Sequence, residues 1–129
     1  MGRVLMLAST RPFRQVVGVE VSAALCETAR DNIVRWRRAH DDLACKDLRV
    51  VRADAATYAF PKGDLVVYLY NPFGERTLQR VLDGLSKRAS GACYVAYHAP
   101  VHRNALDTHA RFELVTDLQF GSIYRLRES

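Results

Sequence analysis

Four polar side chains, each placed where an apolar run ends, are the residues of this sequence best suited to bind a ligand. They are Glu20, Asp54, Asn71 and His98. Ligands of open α/β sheets bind at the carboxyl ends of the strands, so residues that follow predicted strands are the first candidates for a site. Glu20 closes the apolar run 16–19 and lies 18 positions after Gly2. That position is typical of an acid that accepts hydrogen bonds from ribose hydroxyls, the alternative being a solvated carboxylate at a strand end.

The turn Asn71-Pro72-Phe73-Gly74 follows a third apolar run and interrupts it. Proline removes a hydrogen-bond donor from a strand, and glycine permits unusual backbone angles. The Asn71 side-chain oxygen and the Pro72 carbonyl can each accept a hydrogen bond from an amine, and Phe73 can stack on a flat ring. The turn is therefore a candidate substrate contact, the alternative being a strand-ending turn with a core phenylalanine.

Three histidines, His98, His102 and His109, raise the question of a metal site. His98 and His102 are four residues apart, a spacing that places two ligands on one helix face. Pro100 lies between them, and no neighbouring carboxylate or cysteine completes a ligand set. We therefore expect no metal, and we expect His98 either to be hydrogen-bonded structurally or to contact a substrate.

Regular apolar spacings predict the elements that must position these residues. Buried strands are predicted over 16–19, 48–53, 64–70 and 92–97. Helices are predicted from Ser22 to about His40, over a segment with the apolar face Leu78, Val81, Leu82 and Leu85 that stops by Gly91, and over 101–109. An antiparallel hairpin is predicted for 112–118 and 122–126, around the turn 119–121.

Two segments carry further expectations. The run 64–70 is apolar on both faces, which is typical of a central strand. The segment 2–9 has the composition of a strand or a helix; leucine, methionine and alanine favour the helix, and Pro12 provides its exit. Trp36, on the apolar face of the helix that begins near Ser22, is expected to pack in the core.

Strands that alternate with helices predict an α/β fold with parallel βαβ units in a three-layer sheet, closed here by the antiparallel hairpin. No internal repeat, low-complexity tract or linker divides the sequence. We therefore expect a single domain over residues 1–129.

Composition excludes several classes of protein. Hydrophobic residues make up 49% and charged residues 26%, which is the balance of a globular chain and excludes intrinsic disorder. The three cysteines contain no CxxC pair, which argues against a disulfide framework and indicates a cytoplasmic location. No apolar run approaches the roughly 20 residues that cross a bilayer, so no membrane partner is expected.

The net charge of +5 permits an anionic partner without requiring one. Basic residues are scattered along the sequence, and the dense group is Arg35, Arg37 and Arg38. These three are expected to form a solvated helix face, the alternative being an anion-binding patch.

The order of these motifs resembles the class I S-adenosylmethionine-dependent methyltransferases over nearly the whole chain. Gly2 is similar to the last glycine of that family's glycine-rich turn. The other matching segments are Val17-Gly18-Val19-Glu20-Val21-Ser22, Arg52-Ala53-Asp54-Ala55 and Tyr70-Asn71-Pro72-Phe73-Gly74. The resemblance implies a Rossmann-like fold, S-adenosylmethionine as cofactor, and cofactor contacts from Gly2, Glu20, Asp54 and Ala55. It also implies that Asn71, Pro72 and Phe73 face the reacting methyl group.

The function implied by this resemblance is methyl transfer to an acceptor that the sequence leaves open: a nucleobase, a protein side chain or a small molecule. No catalytic base is assigned, because a sulfonium methyl is already a strong electrophile and positioning supplies most of the rate. Three alternatives stay open: an inactive or truncated copy, a nicotinamide-dinucleotide enzyme, and a nucleic-acid-binding module. The oligomeric state is also open.

The first strand of that family, with the acid and glycines that lead to Gly2, has no counterpart in this sequence. We therefore expect this chain to belong to a longer reading frame. A parallel sheet without that strand should leave two strands with unpaired backbone edges. The chain alone is then expected to be unstable, or to pair its strands differently, and to bind cofactor weakly.

Overall fold

A computed structural model describes residues 3–70, 74–88 and 91–128. The elements in chain order are α1 Arg3–Ala8, β1 Val16–Glu20, α2 Ala23–Ala39, β2 Leu48–Arg52, β3 Leu65–Tyr70, α3 Glu75–Ser86, β4 Cys93–His98, α4 Asn104–Asp107, β5 Phe112–Leu118 and β6 Gly121–Leu126. The chain divides into two compact units: a first unit, Met1–Ala55, and a second unit, Ala56–Ser129. The expectation of one domain over 1–129 stays a prediction. None of the described helices is long and apolar enough to cross a membrane.

The first unit is a βαβ unit with α1 packed against it. Strands β1 and β2 pair in parallel, and α2 connects them. The N-terminal segment is a helix, as predicted, because its Leu5 enters a buried cluster with Ile33, Cys45 and Leu48. The fully buried Ser9 hydroxyl accepts a hydrogen bond of 2.9 Å from Trp36 Nε1, so Trp36 packs in this unit as expected.

Arginine side chains of α2 donate hydrogen bonds to backbone carbonyls at the edge of β2 that does not pair with β1. Val16 N donates to Asp47 O, so the odd-numbered residues here direct their backbone N–H and C=O groups toward β1. Because successive residues of a strand alternate, those of the even-numbered residues of β2 point to its opposite edge. Arg37 donates to the carbonyl of Leu48 at 3.0 Å, and Arg30 donates to that of Val50 at 2.9 Å. Arg35, Arg37 and Arg38 are exposed, as expected of a solvated helix face, and Arg37 in addition hydrogen-bonds backbone carbonyls at the unpaired edge of β2.

Strands β1 and β3 each have one paired edge in the described part of the chain. Successive residues of β1 direct their backbone N–H and C=O groups to opposite edges, so those of Val17 and Val19 point away from β2. Because Leu65 N donates to Ala92 O, the backbone groups of Val66 and Tyr68 likewise turn away from β4. Two strands with an unpaired edge were expected from the sequence, and among the described residues each unit contains one of them.

The second unit has a four-stranded sheet in the order β3-β4-β6-β5. Strands β3 and β4 are parallel, and the hairpin β5–β6 is antiparallel and pairs with β4 through β6. The predicted apolar face of α3 is buried: Leu78, Val81, Leu82 and Leu85 are at most 1% exposed. These features confirm the α/β class, the parallel βαβ units and the C-terminal hairpin.

Two expectations for this unit were wrong. Strand β3 lies at one edge of its sheet rather than in the centre, and Val66 and Tyr68 are 55% and 42% exposed. Its apolar composition predicts a strand but does not determine its neighbours. Helix α4 covers 104–107 rather than 101–109, because residues 101–103 form a turn after Pro100.

A polar network holds α4 against the hairpin. The Tyr124 hydroxyl donates to Asp107 at 2.6 Å, and Arg103 donates to both Asp107 and Asp117. The Ser122 hydroxyl donates to Asp117 at 2.6 Å. The hydrogen bond from Tyr124, and then that from Arg103, lowers the pKa of Asp107; the bond from Ser122 does the same for Asp117. Burial, reinforced by Asp107, raises the pKa of Tyr124.

This network predicts a pH-dependent effect of Tyr124→Phe. A carboxyl whose pKa is lowered by folding stabilises the protein fully above its unfolded value of about 3.9, and this stability is lost as the pH falls through the folded value. At pH near 6 we expect Tyr124→Phe to reduce the free energy of unfolding by about 1–1.5 kcal/mol, and by less at pH near 3. Urea unfolding followed by circular dichroism at both pH values measures this. An equal loss at both would exclude the charged Asp107 as the partner that matters.

Candidate functional site

The first unit places two predicted cofactor residues at one edge of its sheet. Glu20 is the last residue of β1, and Asp54 lies two residues beyond the end of β2. The parallel register aligns Glu20 with Arg52, so both carboxylates follow neighbouring strands at their carboxyl ends. Ala55 follows in a turn. The predicted site residues Gly2, Asn71, Pro72 and Phe73 lie outside the described residues.

Backbone hydrogen bonds hold the junction between β1 and α2. The Glu20 carbonyl accepts from Ala53 N at 3.0 Å and from the buried Cys26 thiol at 3.4 Å. The Ser22 hydroxyl caps α2 by accepting from Leu25 N. These bonds use the backbone carbonyl of Glu20, and the residue as a whole is half-buried at the end of β1. A carboxylate at a strand end can accept from the two hydroxyls of a ribose.

The second unit places His98 at the carboxyl end of β4, as the sequence predicts. His98 Nδ1 lies 2.8 Å from the hydroxyl of Tyr68, which comes from the neighbouring strand β3. The two rings meet edge to face, with centroids 6.2 Å apart. This pair places two groups that can donate or accept hydrogen bonds beside each other at one end of the sheet.

Beside this pair lies an apolar pocket of about 410 Å³, lined by Tyr68, 96–98 and 118–123. Leu118 and Phe120, in the hairpin, are 60% and 69% exposed. Ala99 N donates to the Phe120 carbonyl at 2.7 Å, which holds the hairpin turn against the end of β4. A pocket with aromatic walls and a polar pair suits a flat ring that bears hydrogen-bonding groups. We name it the Tyr68–His98 pocket.

Gly121 permits the close approach on which this pocket depends. It pairs with His98, and a Cβ at position 121 would lie 2.5 Å from the Tyr97 carbonyl oxygen. Tyr68, Phe120 and Gly121 were not predicted to be site residues. The turn 119–121 could be predicted from the sequence. Its position beside the end of β4 could not, because it depends on the register in which β6 pairs with β4.

Within the described ranges, no cluster of three or more histidine, cysteine, aspartate or glutamate side chains could hold a metal ion.

No protein-family model matches the sequence, and no curated protein sequence matches it. Solved structures do match. HI0767 of Haemophilus influenzae, a protein provisionally described as a methylase, aligns with a TM-score of 0.68 at 15% identity, over 98% of this chain and 81% of that one. The 23S rRNA methyltransferase ErmE aligns with a TM-score of 0.54 at 18% identity, over 90% of this chain and 53% of that one.

The magnesium protoporphyrin IX methyltransferase ChlM from Synechocystis PCC 6803, solved with bound S-adenosylmethionine, aligns with a TM-score of 0.52 at 13% identity. That alignment covers 88% of this chain and 60% of ChlM. The chain thus spans little more than half of ErmE and of ChlM, and about four fifths of HI0767. It has the Rossmann-like fold of the class I S-adenosylmethionine-dependent methyltransferases, as its motifs indicated.

Proposed function

We propose that this chain functions in S-adenosylmethionine-dependent methyl transfer, with cofactor contacts from the first unit and acceptor contacts from the second. The observation that supports this most is the pair of carboxylates, Glu20 and Asp54, at the carboxyl ends of neighbouring parallel strands. Ligands of open α/β sheets bind at that edge.

In this proposal Glu20 accepts hydrogen bonds from the ribose hydroxyls of the cofactor. Its position at the end of β1 fits a vicinal diol, which presents two donors to one carboxylate. Asp54 and Ala55 contact the adenine, and Gly2 lies beside the methionine part. The cofactor supplies a methyl group on a positively charged sulfur.

The acceptor in this proposal is a flat ring that enters the Tyr68–His98 pocket. Tyr68 and His98 orient it by hydrogen bonds, and Phe120 contacts its face. Asn71, Pro72 and Phe73 follow β3 and face the reacting atom. When bound, the cofactor would supply the methyl group to a lone pair of the acceptor; its sulfur would keep the electrons of the broken carbon–sulfur bond, and the acceptor proton would pass to solvent. These residues act by positioning.

Replacing Glu20 by alanine tests the cofactor part of the proposal. Loss of a charged hydrogen-bonding partner should weaken the binding free energy by about 1.5–3 kcal/mol. The affinity of the variant for S-adenosylhomocysteine is then expected to be roughly 10- to 150-fold lower. Isothermal titration of the Glu20→Ala variant measures it. Glu27→Ala, which removes an exposed carboxylate on α2, is the matched control and should bind as the parent does.

Two outcomes would contradict this part of the proposal. The first is a parent chain that does not bind S-adenosylhomocysteine while its unfolding transition is cooperative. The second is an equal affinity of the two variants, which would remove Glu20 from the site.

A further inference from the structure

A separate cleft of about 790 Å³ lies in the second unit, at the end of β4 opposite to His98. Gly91 and Ala92, which precede β4, form part of its wall. Four arginines from different parts of the chain line it: Arg88, Arg111, Arg125 and Arg127. We name it the arginine cleft. The fold therefore brings together here four of the 19 basic residues that are scattered along the sequence.

The hydrogen bonds of two of these arginines position their guanidinium groups without neutralising them. Arg88 donates to the carbonyls of Pro61 and Gly63. Arg111 donates to the carbonyl of Ser86 at 3.0 Å and to that of Arg127 at 2.7 Å. A carbonyl oxygen is a dipole rather than a full charge, so both guanidinium groups keep their positive charge in fixed positions.

The other two arginines share one carboxylate. Arg125 and Arg127 both form ion pairs with Glu113, and both are more than half exposed. With Glu128, the lining contains four arginines and two glutamates, an excess of two positive charges. Such an excess in a concave surface attracts anions.

We propose that the arginine cleft binds phosphates of a polynucleotide backbone. The cleft is large enough for more than one phosphate, and its four arginines come from three separate segments of the chain, at positions 88, 111 and 125–127. Tyr94 also lines it and offers a ring on which a base can stack. Cations that follow a backbone, together with an aromatic ring, are typical of binding to single-stranded nucleic acid. The proposal does not depend on the methyltransferase assignment, because binding requires no cofactor.

Fluorescence anisotropy with a labelled oligouridine tests it on the full chain. We expect a dissociation constant between about 1 and 100 μM that rises with salt between about 50 and 200 mM NaCl. The double variant Arg125→Gln with Arg127→Gln should bind roughly tenfold more weakly and show a salt slope lower by about 1–2. The control is Arg35→Gln with Arg38→Gln, which removes the same charge from exposed positions of α2 and should change the affinity less than about threefold.

A variant with the opposite effect makes the test independent of any loss of structure. Glu113→Gln removes a negative charge from the cleft and should strengthen RNA binding by about two- to fivefold. Circular dichroism checks that each variant is folded.

Three results would overturn the proposal. Equal losses in the two double variants would assign the binding to net charge. Full displacement of the RNA by about 1 mM sodium phosphate would indicate a site for a single small anion. No binding by the parent chain at about 50 mM salt would exclude the polynucleotide. Titration of S-adenosylhomocysteine on the same samples shows separately whether the cofactor proposal holds.

Discussion

Leu5→Ala is expected to destabilise the first unit by about 2–4 kcal/mol, a large fraction of the stability of a typical domain. Leu5 is 8% exposed and packs in the cluster of the first unit. Its Cδ1 occupies the space that a Cβ of Gly18 would need, since the two would lie 2.9 Å apart. Truncation to alanine therefore leaves a cavity between α1 and β1, which the small Gly18 cannot fill.

The same helix offers a matched control. Leu7 is 58% exposed, so Leu7→Ala should change the free energy of unfolding by less than about 0.5 kcal/mol. Urea unfolding followed by tryptophan fluorescence measures both variants, because the single tryptophan, Trp36, donates a hydrogen bond to Ser9 just after α1. Equal effects of the two substitutions would show that Leu5 of α1 does not pack against β1.

Gly121→Ala is expected to destabilise the second unit by about 2–3 kcal/mol and to open the Tyr68–His98 pocket. The added Cβ would lie 2.5 Å from the Tyr97 carbonyl oxygen and 3.2 Å from the Cα of His98. Both are backbone atoms of β4, so neither can move aside without shifting the strand. The hairpin must then separate from β4 near His98, the residue that pairs with Gly121.

Gly84 provides the comparison for this substitution. It lies within α3, and a Cβ there would meet nothing within 4 Å. Gly84→Ala should therefore stabilise the protein by about 0.5–1 kcal/mol, because alanine loses less conformational freedom in a helix. Thermal unfolding followed by circular dichroism gives both values. A Gly121→Ala variant as stable as the Gly84→Ala variant would contradict the close approach of the hairpin to β4.

The two surfaces of the second unit that we propose as binding sites lie at opposite ends of β4 and differ in chemistry. At the carboxyl end, Phe120 of the hairpin turn and the strand residues Tyr68 and Tyr97 line an apolar pocket beside His98. At the amino end, four arginines line the cleft: Arg88 precedes β4, Arg111 precedes β5, Arg125 lies in β6 and Arg127 follows it. A flat acceptor ring and a phosphate backbone are thus proposed for different ends of one strand, and the experiments above test them separately.

Local features of the fold could be predicted from the sequence because neighbouring residues determine them. Helix α2 begins after Ser22 and ends before His40, as its cap and apolar spacing indicate. The strand ends at Glu20 and His98 were predicted from short apolar runs bounded by polar residues. Helix α1 was predicted from the composition of its segment and from Pro12, a residue that helices seldom continue through.

Contacts between distant residues could not be predicted in the same way. The run 64–70 has the composition of a central strand, yet β3 is an edge strand, because neighbours in a sheet depend on the whole chain. Arg37 is on the solvent side of a helical projection, yet it donates to the carbonyls of Lys46 and Leu48. A helical projection shows which face of the helix is polar, but it does not show which backbone carbonyls of other segments its side chains can reach.

The sequence by itself determined the class of fold, the order of the elements and the strand-end carboxylates Glu20 and Asp54, because apolar periodicity and chain breaks are local properties. Tertiary structure alone decided that Tyr68 meets His98, that Gly121 lies against β4, and that the arginine cleft exists. The pairing of Tyr68 with His98 joins residues 30 positions apart, and the arginines of the cleft span positions 88–127. Such contacts are set by strand register and by the packing of whole elements, which no short window of sequence contains.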